Sequence, residues 1–237
     1  MIGAYRMLSQ SIQRAGIEQP LPGQTQMKIY TSDHMMYTNL NLSDSVASFG
    51  VATYEMIKSG ISEHVIYSAS DSTATTVPQT FELAIERTPG GFRQLIKNAN
   101  NPEAQPFDMT EEYERVSKDT TSPLDGAWEG ILTYEIRGND TTMVDIIQYK
   151  AYQNGYFMFA HTYVDAGNRL HTGMGFGTFE MTGDNSTRET ILASNVGTTS
   201  QEFSIAIQFN GPNEYTQIWS ATDGTQNIEV YRRMKKD

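Results

Sequence analysis

Two of the four histidines, His161 and His171, flank the tetrapeptide Asp165-Ala166-Gly167-Asn168, whose residue types are those of a tight turn. If the flanking segments pair with Val164 opposite Leu170, side chains at 161, 163, 171 and 173 share one face, which Phe157 and Phe159 extend. His161, Tyr163 and His171 then form a polar tip on an aromatic wall. Inside an apolar cavity, such a tip is suited to orient a carboxylate, carbonyl or hydroxyl. An acidic amphiphile held there would bind more weakly as pH rises through the histidine range, because the imidazoles lose their charge. Two imidazoles are also the start of a metal or haem site, but the spacing supplies no third ligand. Ordinary hydrogen-bonded polar residues on strands are the competing reading of the same positions.

Other patterns carry less chemistry. Residues 173–177, Gly-Met-Gly-Phe-Gly, have the glycine density of a phosphate loop. A dinucleotide loop must leave a strand and open a helix, and here strand-forming sequence continues on both sides. Glycines in a barrel strand permit tight bending or close backbone approach. His-Met-Met-Tyr-Thr (34–38) and Tyr-Phe-Met-Phe-Ala (156–160) offer either a pliable ligand lining or ordinary barrel packing. No Ser-His-Asp spacing, phosphate-loop lysine motif, zinc motif or Asp-x-Asp-x-Asp run is found, so neither a metal nor another cofactor is expected.

The elements that must position these residues are written twice. Gly126-Ala127-Trp128 has an echo half a chain earlier in Gly3-Ala4-Tyr5. At nearly the same offset, 27–40 lies over 149–162, 48–56 over 173–181, and 63–70 over 188–195. The order continues with 81–87 over 203–209, 92–96 over 215–219, and 113–119 over 231–237. Ordered matches at a near-constant spacing mark a tandem duplication, with small drifts from turn-length changes. Each unit alternates apolar and polar residues with period two and stops at turn chemistry, as in Thr88-Pro89-Gly90-Gly91 and Asn210-Gly211-Pro212-Asn213.

In the second unit the spacing predicts strands near 127–136, 143–152, 156–164, 169–181, 188–195, 201–209, 213–220 and 227–235. Eight antiparallel strands joined neighbour to neighbour close into an up-and-down barrel, which removes exposed edges. The expected fold is therefore all-β: a barrel over 1–119, a short linker at 120–125, and a second barrel over 126–237. The last hairpin of the first unit is enlarged by residues 98–110. A single large membrane pore is disfavoured because lipid-facing aromatic girdles and an apolar outer band are missing.

Composition narrows the partners. The 237 residues carry 17 Lys plus Arg against 28 Asp plus Glu, a net charge of −11, with no basic block that would override it. Such a surface repels phosphate backbones, so nucleic acid is not an expected partner. No apolar run is long enough to cross a bilayer as a helix. The absence of cysteine excludes disulfides and thiolate chemistry. The first strand begins almost at once, with no basic and apolar leader before it, as in a chain whose export signal has been removed.

Gly126 and Trp128 on a first strand, with Arg233 on the last, resemble the signature of lipocalins and other calycins. Gly3, Tyr5 and Arg115 resemble it too, with Tyr in place of Trp. The resemblance implies that each arginine packs over its aromatic partner and ties the first strand to the last. More narrowly, the chain resembles lipocalin-like proteins of unassigned function from Bacteroidetes, some of which are tandem barrels. That likeness implies an extracytoplasmic, periplasmic or secreted, protein. The function it implies is binding of a small hydrophobic or amphipathic ligand in a barrel cavity. The second unit is the expected site, through Phe157, Phe159, His161, Tyr163 and His171, because Asn39 and Asn41 stand where His161 and Tyr163 would be in the first. Two other readings remain: a structural or interaction module with filled barrels, and a His-dependent isomerase or haem-type enzyme.

Overall fold

A computed structural model describes residues 1–41, 46–70, 73–99 and 107–236. These residues form strands and turns with no helix, and no helix long and apolar enough to cross a membrane is present among them. The first unit contains β1 (Gly3–Arg14), β2 (Ile17–Pro20), β3 (Thr25–Tyr30), β4 (His34–Asn41) and β5 (Val46–Ile57). It continues with β6 (Gly60–Ser70), β7 (Ala74–Thr75), β8 (Gln79–Thr88), β9 (Gly91–Ala99) and β10 (Phe107–Arg115). The second contains β11 (Gly126–Arg137), β12 (Asp140–Met143), β13 (Ile147–Gln153), β14 (Tyr156–Val164) and β15 (Leu170–Gly183). It ends with β16 (Ser186–Ser194), β17 (Glu202–Phe209), β18 (Glu214–Ser220) and β19 (Gln226–Arg233).

Eight antiparallel strands close each barrel. In the first the order is β1-β3-β4-β5-β6-β8-β9-β10, and β10 pairs back onto β1. In the second it is β11-β13-β14-β15-β16-β17-β18-β19, and β19 pairs back onto β11. The fold is thus the expected tandem of up-and-down barrels. Short strands lie off each ring. β2 and β12 fold back on the far ends of β1 and β11, with Arg14 opposite Ile17 and Arg137 opposite Asp140. The strand expected at 143–152 therefore begins at Ile147. The residues before it belong to a hairpin arm whose turn places Gly138 at a φ of +62°, a conformation that costs glycine little. Most of the enlarged hairpin at 98–110 lies outside the described residues.

One face of each barrel packs against the other. Met27, Ile29, Met36 and Phe49 of the first barrel join Met158, Met174, Phe176 and Met234 of the second in one buried apolar seam. Tyr67 and Thr162 share a hydrogen bond across it, and the Thr172 hydroxyl donates to the Ser70 carbonyl at 2.9 Å. Of the two readings of the Met-rich stretches, packing is the one that holds for Met36 and Met158. Met36 and Met158 point outward into the seam, because alternation along β4 and β14 sends every second residue away from the barrel axis. Strands buried on both faces lose their polar positions, which is why β14 reads as an almost continuous apolar run.

The closed end of the second barrel carries the aromatic signature in full. Trp128 stands opposite Arg233 in the β11–β19 register, and the guanidinium carbon lies 4.1 Å from the indole centroid. The indole N–H donates to the Leu124 carbonyl at 2.7 Å, and Arg233 donates to the Asp125 carbonyl at 2.7 Å. Gly126 is required here. Its φ is +142°, and a Cβ would sit 2.0 Å from the Arg233 guanidinium.

The first barrel keeps the pairing but not the stacking. Tyr5 lies opposite Arg115, yet Arg115 donates to the Ser117 hydroxyl at 3.0 Å and approaches Asp119 at 3.7 Å. The Tyr5 ring meets Phe92 edge-on at 5.0 Å instead. A phenol offers a smaller face than an indole, and the neighbouring aromatics claim it.

Candidate functional site in the second barrel

β14 and β15 pair with Val164 opposite Leu170, the register that the hairpin spacing predicts. Phe157, Phe159, His161 and Tyr163 follow one another up the inner face of β14 as a ladder of rings. Successive centroids are 6.3, 6.4 and 6.4 Å apart, and Tyr163 stacks on His171 at 4.9 Å. The opposing positions on β15 are Gly177, Gly175, Gly173 and His171. A Cβ at Gly173 would fall 2.2 Å from His161 Nε2, and one at Gly175 would fall 2.8 Å from the Phe159 ring. The glycine run 173–177 is thus a track that lets the rings lie against the neighbouring strand.

A cavity of about 610 Å³ occupies the upper part of this barrel. Phe159, His161 and Tyr163 line it, whereas Phe157 lies beneath, in the apolar floor with Trp128, Tyr152 and Tyr215. His171 is at the rim, where its Nε2 is hydrogen-bonded to the Asp165 carboxylate at 2.9 Å. Arg169 donates to the same carboxylate from Nε at 2.9 Å. The His171 hydrogen bond, followed by those of Arg169, holds the Asp165 carboxyl well below its usual range. His161 and His171 do not converge on a common point: Tyr163 meets both, and His171 turns away to the hairpin. No group of three metal-ligating side chains occurs among the described residues.

Burial pushes the His161 imidazole down from 6.5 to about 4. The ring is therefore neutral throughout the range in which a free histidine titrates, and this corrects the expectation that charge on His161 attracts an acidic head group. No hydrogen bond to its ring nitrogens is present among the described residues.

The charged part of the site lies one layer lower and was not anticipated. Lys150 on β13 donates to the Glu189 carboxylate of β16 at 3.0 and 3.2 Å, and to the Gln217 carbonyl oxygen of β18 at 3.1 Å. Gln217 passes a hydrogen bond to Glu229 on β19 at 2.8 Å. Glu229 also accepts from the Tyr231 hydroxyl at 2.6 Å and from the Trp219 indole N–H at 2.7 Å. Tyr152 donates to Glu189. Burial first, and the adjacent carboxylates second, hold the Tyr152 and Tyr231 phenols well above their ordinary range, which keeps them as O–H donors. Lys150, Glu189, Gln217 and Glu229 are all buried and all border the cavity.

Sequence reasoning missed this layer for a physical reason. A lysine or glutamate in an alternating strand normally marks the solvent face, and here the polar residues are the inward ones. The usable signal was the repeat. Lys28, Glu63, Gln94 and Glu111 form the equivalent layer in the first barrel. There Lys28 donates to Gln94 at 2.9 Å and lies 3.6 Å from Glu63, and Gln94 donates to Glu111 at 3.0 Å.

The rest of the wall is mixed: Phe159, Ile191, Phe203, Ile205 and Val196 share it with Thr133, Glu135, Gln148, Ser194 and Gln201. Met143, Ile147 and Val164, on the strands that lead to the mouth, are exposed. The arrangement can hold an elongated molecule whose polar end reaches the charged layer and whose apolar part extends to the mouth.

No protein-family model matches the chain, and no curated protein sequence does. Among solved structures it is similar to the crystal structure of a DUF3598-family protein of unknown function from Nostoc punctiforme. That likeness has 8% identity and a TM-score of 0.25, and covers 98% of this chain and 96% of the other.

Proposed function

We propose that the protein binds a small amphipathic molecule in the second barrel. The observation that carries this reading is the cavity of about 610 Å³, which joins the apolar side chains of a mixed wall to a buried layer of charged and amide side chains. Ligand sites combine apolar walls with a few fixed polar groups in this way. Phe159, His161 and Tyr163 form one wall, the polar end of the ligand sits by Lys150, Glu189 and Glu229, and the apolar rim is the route of entry. The Gly126, Trp128 and Arg233 arrangement supports a lipocalin-like relationship for this barrel, and the resemblance to exported proteins of that kind supports an extracytoplasmic location. Fractionation of the native host, finding the protein in the periplasm or medium, checks the location.

The binding test uses N-phenyl-1-naphthylamine, an apolar probe that brightens when it leaves water. It is expected to bind one molecule per chain. Ile191→Trp, which fills the cavity, should abolish that binding while the variant keeps its cooperative thermal transition. Absence of any brightening in the parent, or undiminished binding by the filled variant, would overturn the proposal.

A further inference from the structure

The charged layer of the second barrel is not balanced. Lys150 supplies one positive charge, and Glu189 and Glu229 supply two negative ones, so the ionised layer has a formal excess of one negative charge. Burying an uncompensated charge in a protein interior costs several kcal/mol after relaxation. Neutralisation requires either a proton or a second cation.

Three further observations concern the space next to that excess charge. First, the carboxylates are not saturated. Among the described residues, Glu189 Oε2 accepts only from Lys150, and Glu229 Oε1 accepts only from Trp219. A carboxylate oxygen can accept more than one hydrogen bond, and both residues border the cavity. Second, the cavity wall beside them is aromatic, formed by Phe159, Phe203 and Trp219. Ring faces attract a desolvated cation. Third, His161 is held neutral by burial, so it adds no positive charge to draw an anion. Lys150, the cation of the layer, is already committed to Glu189 and Gln217.

We infer that the second barrel selects amphiphiles with a cationic head, a primary ammonium on an apolar chain, seated between Glu189 and Glu229. An ammonium offers three N–H donors, enough to bridge the free lone pairs of both carboxylates and supply the missing positive charge. The apolar chain then runs past Phe159 and Phe203 to the mouth. A carboxylate head would add a third anion to the layer, and an alcohol would leave the excess unbalanced. The inference rests on the binding function proposed above and specifies its ligand class.

Calorimetric titration of the full chain with decylamine, decanol and decanoate at pH 7 tests it. Decylammonium should bind about tenfold or more tightly than either analogue, since only it complements the charge of the site. Glu229→Gln should reduce that preference toward unity. Because this variant also alters three internal hydrogen bonds, Glu189→Gln is the second test of the same loss, and the parent's own ranking of the three heads stands without either variant. Equal affinity for decylamine and decanol would show that a proton balances the layer and would overturn the inference while leaving the binding function intact. Tightest binding of decanoate would overturn it in favour of Lys150 as the recognising group. Failure of all three to bind would overturn both the inference and the binding function.

Discussion

In the first barrel the carboxylate of Glu111 is closed off by Gln10, which reaches it from β1 at 3.0 Å. In the second, the equivalent Glu229 is held by the indole of Trp219, which reaches it from β18 at 2.7 Å. Beneath this difference the layers are alike: a lysine, two glutamates, a glutamine and two tyrosines in the same positions. Above it they diverge, with Tyr37 and Asn39 on β4 where the second barrel has Phe159 and His161 on β14. The Asn39 side chain donates to Gln24, whereas His161 is left over its glycine track at the cavity wall. The repeated layer is thus the part that holds each barrel together, and the part above it is free to differ. Replacing a glutamine cap by an indole cap also moves the contact to the opposite side of β19, and puts an aromatic surface on the cavity wall.

The largest expected effect comes from removing the lysine. Lys150→Met leaves Glu189 and Glu229 buried with no cation, and breaking such a pair costs about 3–5 kcal/mol. Lys28→Met should cost a similar amount in the first barrel, and the double variant Lys150→Met with Glu189→Gln should recover part of the loss. Denaturant titrations measure all three. Unchanged stability of Lys150→Met would remove the charged layer from any account of how the barrel is held.

The closed ends sharpen the comparison next. Trp128→Ala should cost about 3–5 kcal/mol as a truncated buried aromatic. Tyr5→Ala should cost less, because Trp128 loses the Arg233 stack and the Leu124 hydrogen bond as well as its packing. Equal losses would show that stacking adds nothing to the second barrel.

These two cases also show how far the sequence could be read. The repeat, the strand alternation and the pairing of Trp128 with Arg233 were visible, because each depends on spacing along one strand or on motifs at fixed places in the duplication. The face shared by Phe157, Phe159, His161 and Tyr163 was visible for the same reason: one turn sets the register of its hairpin. The charged layer draws its members from β13, β16, β18 and β19, and no local pattern joins residues so far apart. Lys28 over Lys150 and Gln94 over Gln217 did fall in matching segments. Glu63 and Glu189 were offset by one residue in that alignment, since β15 carries an extra residue, Thr182, at a bulge between Met181 and Gly183 that β5 lacks. The inter-barrel seam was hidden too: an outward-facing Met158 and an inward-facing one have the same local sequence until a second barrel covers one face.

The glycine track gives a smaller, graded effect. Gly177→Ala would place a Cβ 1.9 Å from the Thr190 carbonyl oxygen, which is backbone and cannot easily yield. Gly173→Ala meets the His161 ring, which can rotate. Overpacking of this kind costs about 1–3 kcal/mol, so Gly177→Ala should lie near the upper end and Gly173→Ala near the lower. Thermal melts that rank them in the reverse order would refute the close-approach role.

The last difference is a pH dependence that His161 gives the second barrel. The unfolded chain protonates His161 near 6.5 and the folded chain only near 4, so protons favour the unfolded state between those values. The stability contributed by burying the neutral ring is intact above that window and falls as pH drops through it. His161→Phe should lose less stability than the parent between pH 7 and pH 4.5, while Asn39→Ala should track the parent. An imidazole resonance of His161 titrating near 6.5 in the folded protein would contradict the burial of that ring.

The central claim is that an amphiphile lies inside the second barrel with its head at the charged layer, and a crystal structure of the protein with decylamine tests it most directly. The account predicts the alkyl chain between Phe159, Phe203 and Trp219, with the nitrogen about 3 Å from a carboxylate oxygen of Glu189 or Glu229. An amphiphile found only in the seam between the barrels or on the outer surface, with the second cavity holding water alone, would contradict it.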